Sequence, residues 1–275
     1  MKIVSEIFGL SSKNKLMNPD RKDFMCPFTK NQCDPINKKS NLTDSKGNLM
    51  LNHQTGACSC YYKSNLDTKY SPVIICPMRF EEKNLNNEII VFKKIKNFFF
   101  NDKKIMFSKE ISLKGYGRAD FMISTIENSK IVDFAHLEFQ SDATTGTRGI
   151  VECVKDFYDG KNLKKSYTYG LNTKATIKGF SLQMIDKGYL FKKLNKLSIW
   201  IMQDKLIEKF KSIYNIKLNH VKSYNINLKA MIYILEVILV PNNDKSKYNL
   251  TTGKVYMTSS DEIQSAISKK EVLDE

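Results

Sequence analysis

The sequence predicts an α/β domain preceded by a cysteine-rich module. Two stretches, residues 118–126 and 131–139, are rich in β-branched and aromatic residues, and turn-forming residues 127–130 separate them. Segments with apolar residues at helical spacing lie on both sides of this pair, at residues 82–100 and 148–158. In addition, five of the six cysteines fall within the first 76 residues. We therefore expect strands and helices to alternate after a separate N-terminal module.

The remaining elements follow from the same patterns. One helix is expected within residues 1–23, little regular structure across 24–80, and a strand over 104–113. Further along the chain we expect helices over 176–194, 204–214 and 259–269, and strands over 197–202, 228–240 and 246–258. A buried helix is the alternative for 228–240, but its length and β-branching favour a strand. The predicted domains are residues 1–80 and 81–275.

The composition is that of a globular protein with a strong positive charge. Hydrophobic residues make up 41% of the chain, and the formal net charge is +15. Nearly all of the positive charge comes from lysines scattered along the chain, which favours an anionic partner such as nucleic acid. The alternative is a lysine-rich, solvated surface without a partner.

The sequence contains no apolar run of eighteen residues, and its N-terminal residues do not resemble a signal peptide. A cytoplasmic protein without membrane spans is therefore expected. In that compartment the six cysteines are not expected to form a disulfide framework.

Three polar side chains interrupt the two central strands. Glu138 and Gln140 share one face of the second strand because side chains alternate with a period of two, and Asp120 lies near the start of the first strand. A buried carboxylate is costly unless it is paired or binds a cation, so Asp120 and Glu138 are expected to converge on a divalent metal. Glu110, on the preceding strand, is placed to extend this acidic group. Such a site suits phosphodiester hydrolysis, in which negative charge develops on the phosphate.

The N-terminal cysteines suggest a second metal site. Residues 24–80 are too polar to bury a core, and a metal held by thiolates would hold such a segment together. Cys26, Cys33, Cys76 and either Cys58 or Cys60 are the candidate ligands, although their spacings do not match a zinc ribbon. The alternative is that these cysteines are small buried hydrophobic residues.

Asp120 followed by Glu138-Phe139-Gln140 resembles the motif of the PD-(D/E)xK nuclease superfamily, with glutamine in place of the usual lysine. The N-terminal motifs, taken with this one, resemble the NotI-type restriction endonucleases; they are Cys26-Pro27-Phe28-Thr29, Cys33, Cys58-Ser59, Ile75-Cys76-Pro77-Met78-Arg79-Phe80 and Glu110-Ile111-Ser112-Leu113. The segment with Asn172, Gln183, Lys187 and Gly188 fits more loosely. The resemblance covers roughly residues 24–203.

This resemblance implies a PD-(D/E)xK core, a central mixed sheet flanked by helices, and a type II restriction endonuclease that cleaves double-stranded DNA with Mg²⁺. It implies that Asp120 and Glu138 hold Mg²⁺, that Gln140 orients the water and that Glu110 assists. A neutral amide cannot take a proton, so Gln140 is not the base. By the same resemblance a structural iron or zinc is bound by Cys26, Cys33, Cys58 and Cys76. A homodimer and a cognate DNA methyltransferase are the further partners expected.

Two other functions fit the same residues: a non-catalytic, metal-stabilised DNA-binding protein, and a nuclease of this fold that acts in DNA repair or processing. Other residues receive structural interpretations. His136 is more often a satisfied strand histidine than a base, and Cys153 and Trp200 are expected in the core. Arg148 and Lys155 suit phosphate contacts and an ordinary charged surface equally well.

Overall fold

The computed structural model describes residues 3–13, 25–31, 33, 56–63, 69–101, 103–164 and 166–273. The protein is α/β, with a large mixed sheet and flanking helices, as the sequence predicts. It divides into two compact units. The first unit consists of Met1–Lys83, Asp142–Thr173 and Leu239–Leu250. The second unit consists of Asn84–Ser141, Lys174–Ile238 and Thr251–Glu275. The predicted boundary at residue 80 lies near the first break, and the first unit also takes in two later segments.

The strands are β1 (Val4–Ile7), β2 (Leu10–Ser11), β3 (Ala57–Tyr62), β4 (Ser71–Ile74), β5 (Ile105–Leu113), β6 (Gly117–Glu127), β7 (Lys130–Gln140), β8 (Thr144–Thr145), β9 (Gly170–Leu171), β10 (Leu197–Gln203), β11 (Asn219–Val221), β12 (Ile232–Pro241) and β13 (Tyr248–Thr258). The helices are α1 (Ile90–Phe99), α2 (Thr147–Tyr158), α3 (Thr173–Lys193), α4 (Asp204–Tyr214) and α5 (Ser260–Leu273), with short 3₁₀ turns at Pro77–Glu81 and Ile226–Leu228. From β5 onward these elements confirm the predicted strands and helices.

The first unit contains a four-stranded sheet in the order β2-β1-β3-β4. This sheet corrects two predictions. The helix expected within residues 1–23 is wrong where the structure describes that segment, because β1 pairs with β2 and β3 and all four of its residues are buried. The described part of residues 24–80 contains β3, β4 and the start of a 3₁₀ turn, which is more regular structure than its polar composition predicts. Pairing between strands distant in sequence is a tertiary effect that local composition does not report.

A buried ion pair lies inside this first unit. Arg79 and Glu6 have fully buried side chains, and the guanidinium Nε lies 3.1 Å from a carboxylate oxygen of Glu6. The Ser59 hydroxyl donates to Glu6 at 2.6 Å, and Arg79 donates to the main-chain carbonyl of Tyr248 at 2.9 Å. Buried charges are tolerated when they are paired and hydrogen-bonded in this way.

The second unit is built on the seven-stranded sheet, in the order β11-β13-β12-β10-β7-β6-β5. Strands β5, β6 and β7 are antiparallel, whereas β10 is parallel to both β7 and β12. All seven residues of β10 are buried, as its largely apolar sequence predicts for a strand covered on both faces. The sheet is therefore mixed, with β7 at the change from antiparallel to parallel pairing.

The two faces of β7 contact different helices. On one face Phe139 lies near Phe92 of α1, with ring centroids 6.1 Å apart, and Phe92 also contacts Phe121 of β6 at 5.1 Å. On the other face the His136 ring stacks on Phe191 of α3, with centroids 4.5 Å apart. The alternation of β7 thus directs its apolar residues toward α1 and its polar residues toward α3.

Close packing of α3 against the sheet requires a glycine. A Cβ atom at Gly188 would lie 2.2 Å from the Ser260 hydroxyl oxygen and 2.6 Å from the Ile232 Cδ1, and both of those residues are buried. At Gly179, in the same helix, a Cβ atom would meet nothing within 4 Å. The helix therefore offers a buried, tightly packed glycine and an exposed glycine with open space around it.

We expect Gly188→Ala to lower the free energy of unfolding by about 1–3 kcal/mol, the usual cost of an overpacked core. The matched control, Gly179→Ala, should raise it by about 1 kcal/mol, because alanine is the better helix former. Urea unfolding of the two variants checks both signs. Equal changes in the free energy of unfolding for Gly188→Ala and Gly179→Ala would contradict the close packing of α3 at Gly188.

Among the described residues, no helix has the length and apolar character needed to cross a membrane.

Candidate active site

The register of the β6–β7 hairpin determines which side chains meet. Asn128 and Ser129 form the turn with left-handed φ angles of 48° and 61°, as a tight two-residue hairpin turn requires. Next to the turn Ile126 pairs with Ile131, but the register then shifts by one residue, so that Thr125 pairs with Asp133. This β-bulge changes every pairing farther along the hairpin.

Because of that shift, Asp120 and Glu138 are opposite each other. Beyond the bulge Phe121 pairs with Leu137, and the same register continued by one residue places Asp120 across from Glu138. Without the bulge Asp120 would be opposite Leu137, whose side chain is on the other face of the sheet. The predicted convergence of the two carboxylates therefore depends on one inserted residue near the turn.

Asp120 is in direct contact with β7. Its Oδ2 atom accepts a hydrogen bond of 2.8 Å from the main-chain N–H of Phe139, and its carboxyl group is close enough to that of Glu138 to interact with it electrostatically. Burial, followed by the negative charge of Glu138, raises the pKa of Asp120 from 3.8 to about 6. Two carboxyl groups this close share one proton unless a cation separates them.

Glu138 is buried and has two further partners. Its Oε1 atom lies 2.8 Å from His136 Nε2 and forms an ion pair with the Lys187 ammonium group. Lys187 is itself buried, and it also donates to the main-chain carbonyl of Arg118 at 2.8 Å. Burial raises the pKa of Glu138, and the charge of Lys187 opposes that rise. Lys187 therefore favours the ionised form of Glu138.

His136 connects this pair to the core. Its Nδ1 atom lies 3.0 Å from the Ser198 hydroxyl oxygen, which also accepts a hydrogen bond of 3.3 Å from Trp200 Nε1. Burial, and then the nearby charge of Lys187, lower the pKa of His136 to about 3. The imidazole is therefore neutral at physiological pH. Trp200 is buried, as predicted.

Gln140 and Glu110 have other contacts. The Gln140 side-chain amide donates to the main-chain carbonyl of Ser141 at 2.7 Å. Glu110 has a left-handed φ of 53°, and its carboxylate pairs with Arg118 at 3.0 Å, with the side chain 71% exposed. The structure thus brings together Asp120 and Glu138, whereas Glu110 is held at the surface by Arg118. The predicted roles of Gln140 and Glu110 stay predictions.

Sequence reasoning named Lys187 only in the looser part of the family resemblance and assigned it no role. A stronger signal was available. Met184, Lys187 and Phe191 are spaced by three and four residues, so the lysine belongs to the buried stripe of α3. A charged residue within an apolar stripe indicates a buried partner.

The cysteines are all free thiols and fall into separate groups. Cys26 and Cys58 are buried in one small cluster with Phe28, and Cys33 packs against it. Cys76 interacts electrostatically with Cys26, Cys33 and Cys58, and burial raises its pKa to about 12.

Cys60 belongs to a different cluster of the same unit, where it contacts Tyr169. Of the two alternatives left open by the sequence, Cys58 is therefore the neighbour of the other three thiols. Cys153 packs in the same cluster as Cys60, in the core as predicted.

No family of known proteins matches the sequence, and no curated protein is significantly similar to it. Any assignment of function therefore depends on the chemistry of the site itself.

The carboxylate pair fits a hard divalent cation. Asp120 and Glu138 present oxygen atoms to each other in a partly dehydrated site, and their mutual repulsion would be relieved by a cation as it is by a proton. Across the described residues, no group of three or more His, Cys, Asp or Glu is arranged to hold a metal ion. Mg²⁺ commonly uses only one or two carboxylates together with water and substrate phosphate, so two are sufficient for this role. The four thiols, by contrast, are neighbours without the arrangement of a metal site.

Proposed function

We propose that the protein is a type II restriction endonuclease of the PD-(D/E)xK superfamily that hydrolyses double-stranded DNA with Mg²⁺. The observation that carries the proposal is the closeness of two carboxyl groups on neighbouring strands, that of the half-buried Asp120 and that of the buried Glu138, beside a buried ammonium group, Lys187. The order of motifs along the chain supports the same assignment.

Each residue contributes a specific part of the proposed chemistry. Asp120 and Glu138 would hold Mg²⁺, which supplies charge stabilisation to the phosphate and an acidified water. Lys187 keeps Glu138 ionised through its ion pair, and thereby provides near Glu138 the positive charge that a lysine at position 140 would have provided. Gln140 can orient a water by hydrogen bonding but cannot deprotonate it.

The surface beside Asp120 supports DNA as the substrate. At the tip of the β5–β6 hairpin Lys114, Tyr116 and Arg118 are exposed, and Lys109 is exposed on β5. Lysine and arginine side chains at such a position can contact phosphates, and an exposed tyrosine can pack against sugars or bases. The net charge of +15 favours the same partner. The enzyme would act in the cytoplasm as a homodimer, one subunit for each strand, beside a methyltransferase that protects host DNA.

In this proposal the N-terminal thiols Cys26, Cys33, Cys58 and Cys76 bind a structural iron or zinc ion. Their mutual proximity supports the assignment, since metal binding would draw the four sulfur atoms into tetrahedral coordination. Thiols bind metal only by losing their protons, so binding should weaken as the pH falls.

We expect the purified protein to contain about one iron or zinc ion per chain, as a Cys₄ site requires. Cys76→Ser should lose most of that metal and unfold at lower temperature. Cys60→Ser is the matched control, because Cys60 lies in a separate cluster, and it should retain the metal. Elemental analysis by mass spectrometry distinguishes the two variants. Equal metal content in both would contradict the assigned ligands.

The function is tested by digesting unmethylated DNA with and without Mg²⁺ and sequencing the ends. Discrete fragments with a common end sequence, formed only with Mg²⁺, are the expected result. Cleavage at structural features without a common sequence would favour a repair nuclease. Binding without cleavage would favour a non-catalytic DNA-binding protein, and either result would overturn the proposal.

A further inference from the structure

The Oε1 atom of Glu138 has two hydrogen-bonding neighbours. His136 Nε2 lies 2.8 Å away, and the Lys187 ammonium group forms an ion pair with the same oxygen. An oxygen that accepts from an ammonium group carries no proton. The short contact with His136 therefore requires the imidazole proton to be on Nε2, which acts as the donor.

The opposite side of the ring has the complementary arrangement. With the proton on Nε2, the Nδ1 atom of His136 is an acceptor, and the Ser198 hydroxyl 3.0 Å away donates to it. Trp200 Nε1 is only a donor, and it gives its hydrogen to the same Ser198 oxygen at 3.3 Å. Because the Ser198 oxygen accepts this hydrogen bond from Trp200, the hydroxyl proton of Ser198 is free to point to Nδ1 of His136. Trp200, Ser198, His136 and Glu138 thus form one chain of hydrogen bonds with a single direction.

One face of α3 completes this arrangement. Phe191 stacks on the His136 ring at a centroid distance of 4.5 Å and an interplanar angle of 16°. Lys187 lies four residues earlier, on the same face of the helix, and contacts Glu138. The ring plane of His136 and the carboxylate of Glu138 are therefore held by the same helix.

We propose that His136 is a positioning residue that acts through Glu138, in the Nε2–H tautomer that its contact with Glu138 requires and that Ser198 complements at Nδ1. By occupying Oε1 together with Lys187, it leaves Oε2 as the oxygen available to Asp120 and to a divalent cation. This inference rests on the proposed function, which supplies the cation, and it gives His136 a role beyond that of a satisfied core residue. Hydrogen-bonding partners that orient a ligand typically change metal affinity by about 10–100-fold when they are removed.

Two isosteric variants separate the two sides of the ring. His136→Gln places an amide N–H near the position of Nε2 and so keeps the donor to Glu138. His136→Asn places its amide near Nδ1 and keeps only the Ser198 side. Measured with Mn²⁺ alone by calorimetry, the affinity of His136→Asn should fall by about 10–100-fold, whereas His136→Gln should stay close to wild type. Equal losses in the two variants, both shown to be folded by circular dichroism, would overturn the proposal.

A second measurement does not need the cation. The ¹⁵N chemical shifts of the imidazole should report the Nε2–H tautomer in the wild type and also in Ser198→Ala, because the acceptor oxygen of Glu138 by itself keeps the proton on Nε2. An Nδ1–H tautomer in the wild type would overturn the role of His136. The wild type could instead fail to bind Mn²⁺ while its tautomer is as expected. That result would disprove the proposed cation site and with it the positioning role of His136, although the chain of hydrogen bonds would still be present.

Discussion

Asp120→Asn is expected to abolish Mg²⁺-dependent cleavage and, at the same time, to stabilise the metal-free protein. Loss of a ligand carboxylate should lower cleavage by about a thousandfold or more, because the cation contributes several kcal/mol of charge stabilisation in the transition state. The substitution should nevertheless keep the hydrogen bond from the Phe139 N–H, since asparagine retains an acceptor oxygen.

The gain in stability follows from the raised pKa of Asp120. With a pKa of 3.8 in the unfolded chain and about 6 in the folded protein, the folded state binds the proton more tightly. Stability is therefore lost as the pH rises from about 4 to about 6 and stays low above that range. A shift of this size corresponds to about 3 kcal/mol, and partial exposure of Asp120 reduces the expected effect to about 2 kcal/mol. Asparagine cannot ionise, so the Asp120→Asn variant should not lose stability over this pH range.

Urea unfolding of the metal-free wild type and Asp120→Asn at pH 4 and pH 8 measures the difference. The variant should be more stable at pH 8 and nearly equal to wild type at pH 4, and Mg²⁺ should stabilise only the wild type. Glu127→Gln is the matched control on the same strand, because Glu127 is exposed and pairs only weakly with Lys103. A variant that is less stable than wild type at pH 8 would contradict the close contact of the two carboxyl groups.

The second large effect is expected at the ion pair between Lys187 and Glu138. Both side chains are more than 90% buried, so removing one partner leaves an uncompensated charge in the core. Lys187→Met and Glu138→Gln should each lower the free energy of unfolding by about 3–5 kcal/mol. The double variant should lose much less than the sum of the two, because neither charge then remains buried.

A double-mutant cycle in urea at pH 7 gives the coupling energy directly. The exposed pair Lys103–Glu127, with both side chains more than half exposed, provides a matched cycle that should yield a coupling of at most about 1 kcal/mol. Additive effects of Lys187→Met and Glu138→Gln would show that the two groups do not interact. Cleavage assays on Lys187→Met then test whether its charge also supports the reaction.

Much of the secondary structure was accessible from the sequence alone. From β5 to α5, apolar periodicity and β-branching predict the elements, because most of those segments have a buried face whose pattern matches their geometry. The N-terminal residues were not predictable in this way. There the strands β1 and β3 are short, and their pairing depends on partners about fifty residues apart.

The carboxylate pair was predicted in part. The sequence identified Asp120 and Glu138 as polar positions in buried strands, but their spacing alone is compatible with two registers. A one-residue shift between Thr125 and Ile126 selects the register that makes them face each other. No local pattern marks that bulge, because either register pairs strand residues of similar type.

The sequence by itself determined which residues form the central strands and which polar side chains interrupt them. The reason is that the order of apolar and polar residues along the chain indicates which side chains of a strand are buried. Only the tertiary structure decided that Asp120 and Glu138 lie close together, that Lys187 from a distant helix pairs with Glu138, and that Cys58 is the neighbour of Cys26. These are contacts between segments far apart in sequence. They depend on register and on helix packing, which local residue patterns do not specify.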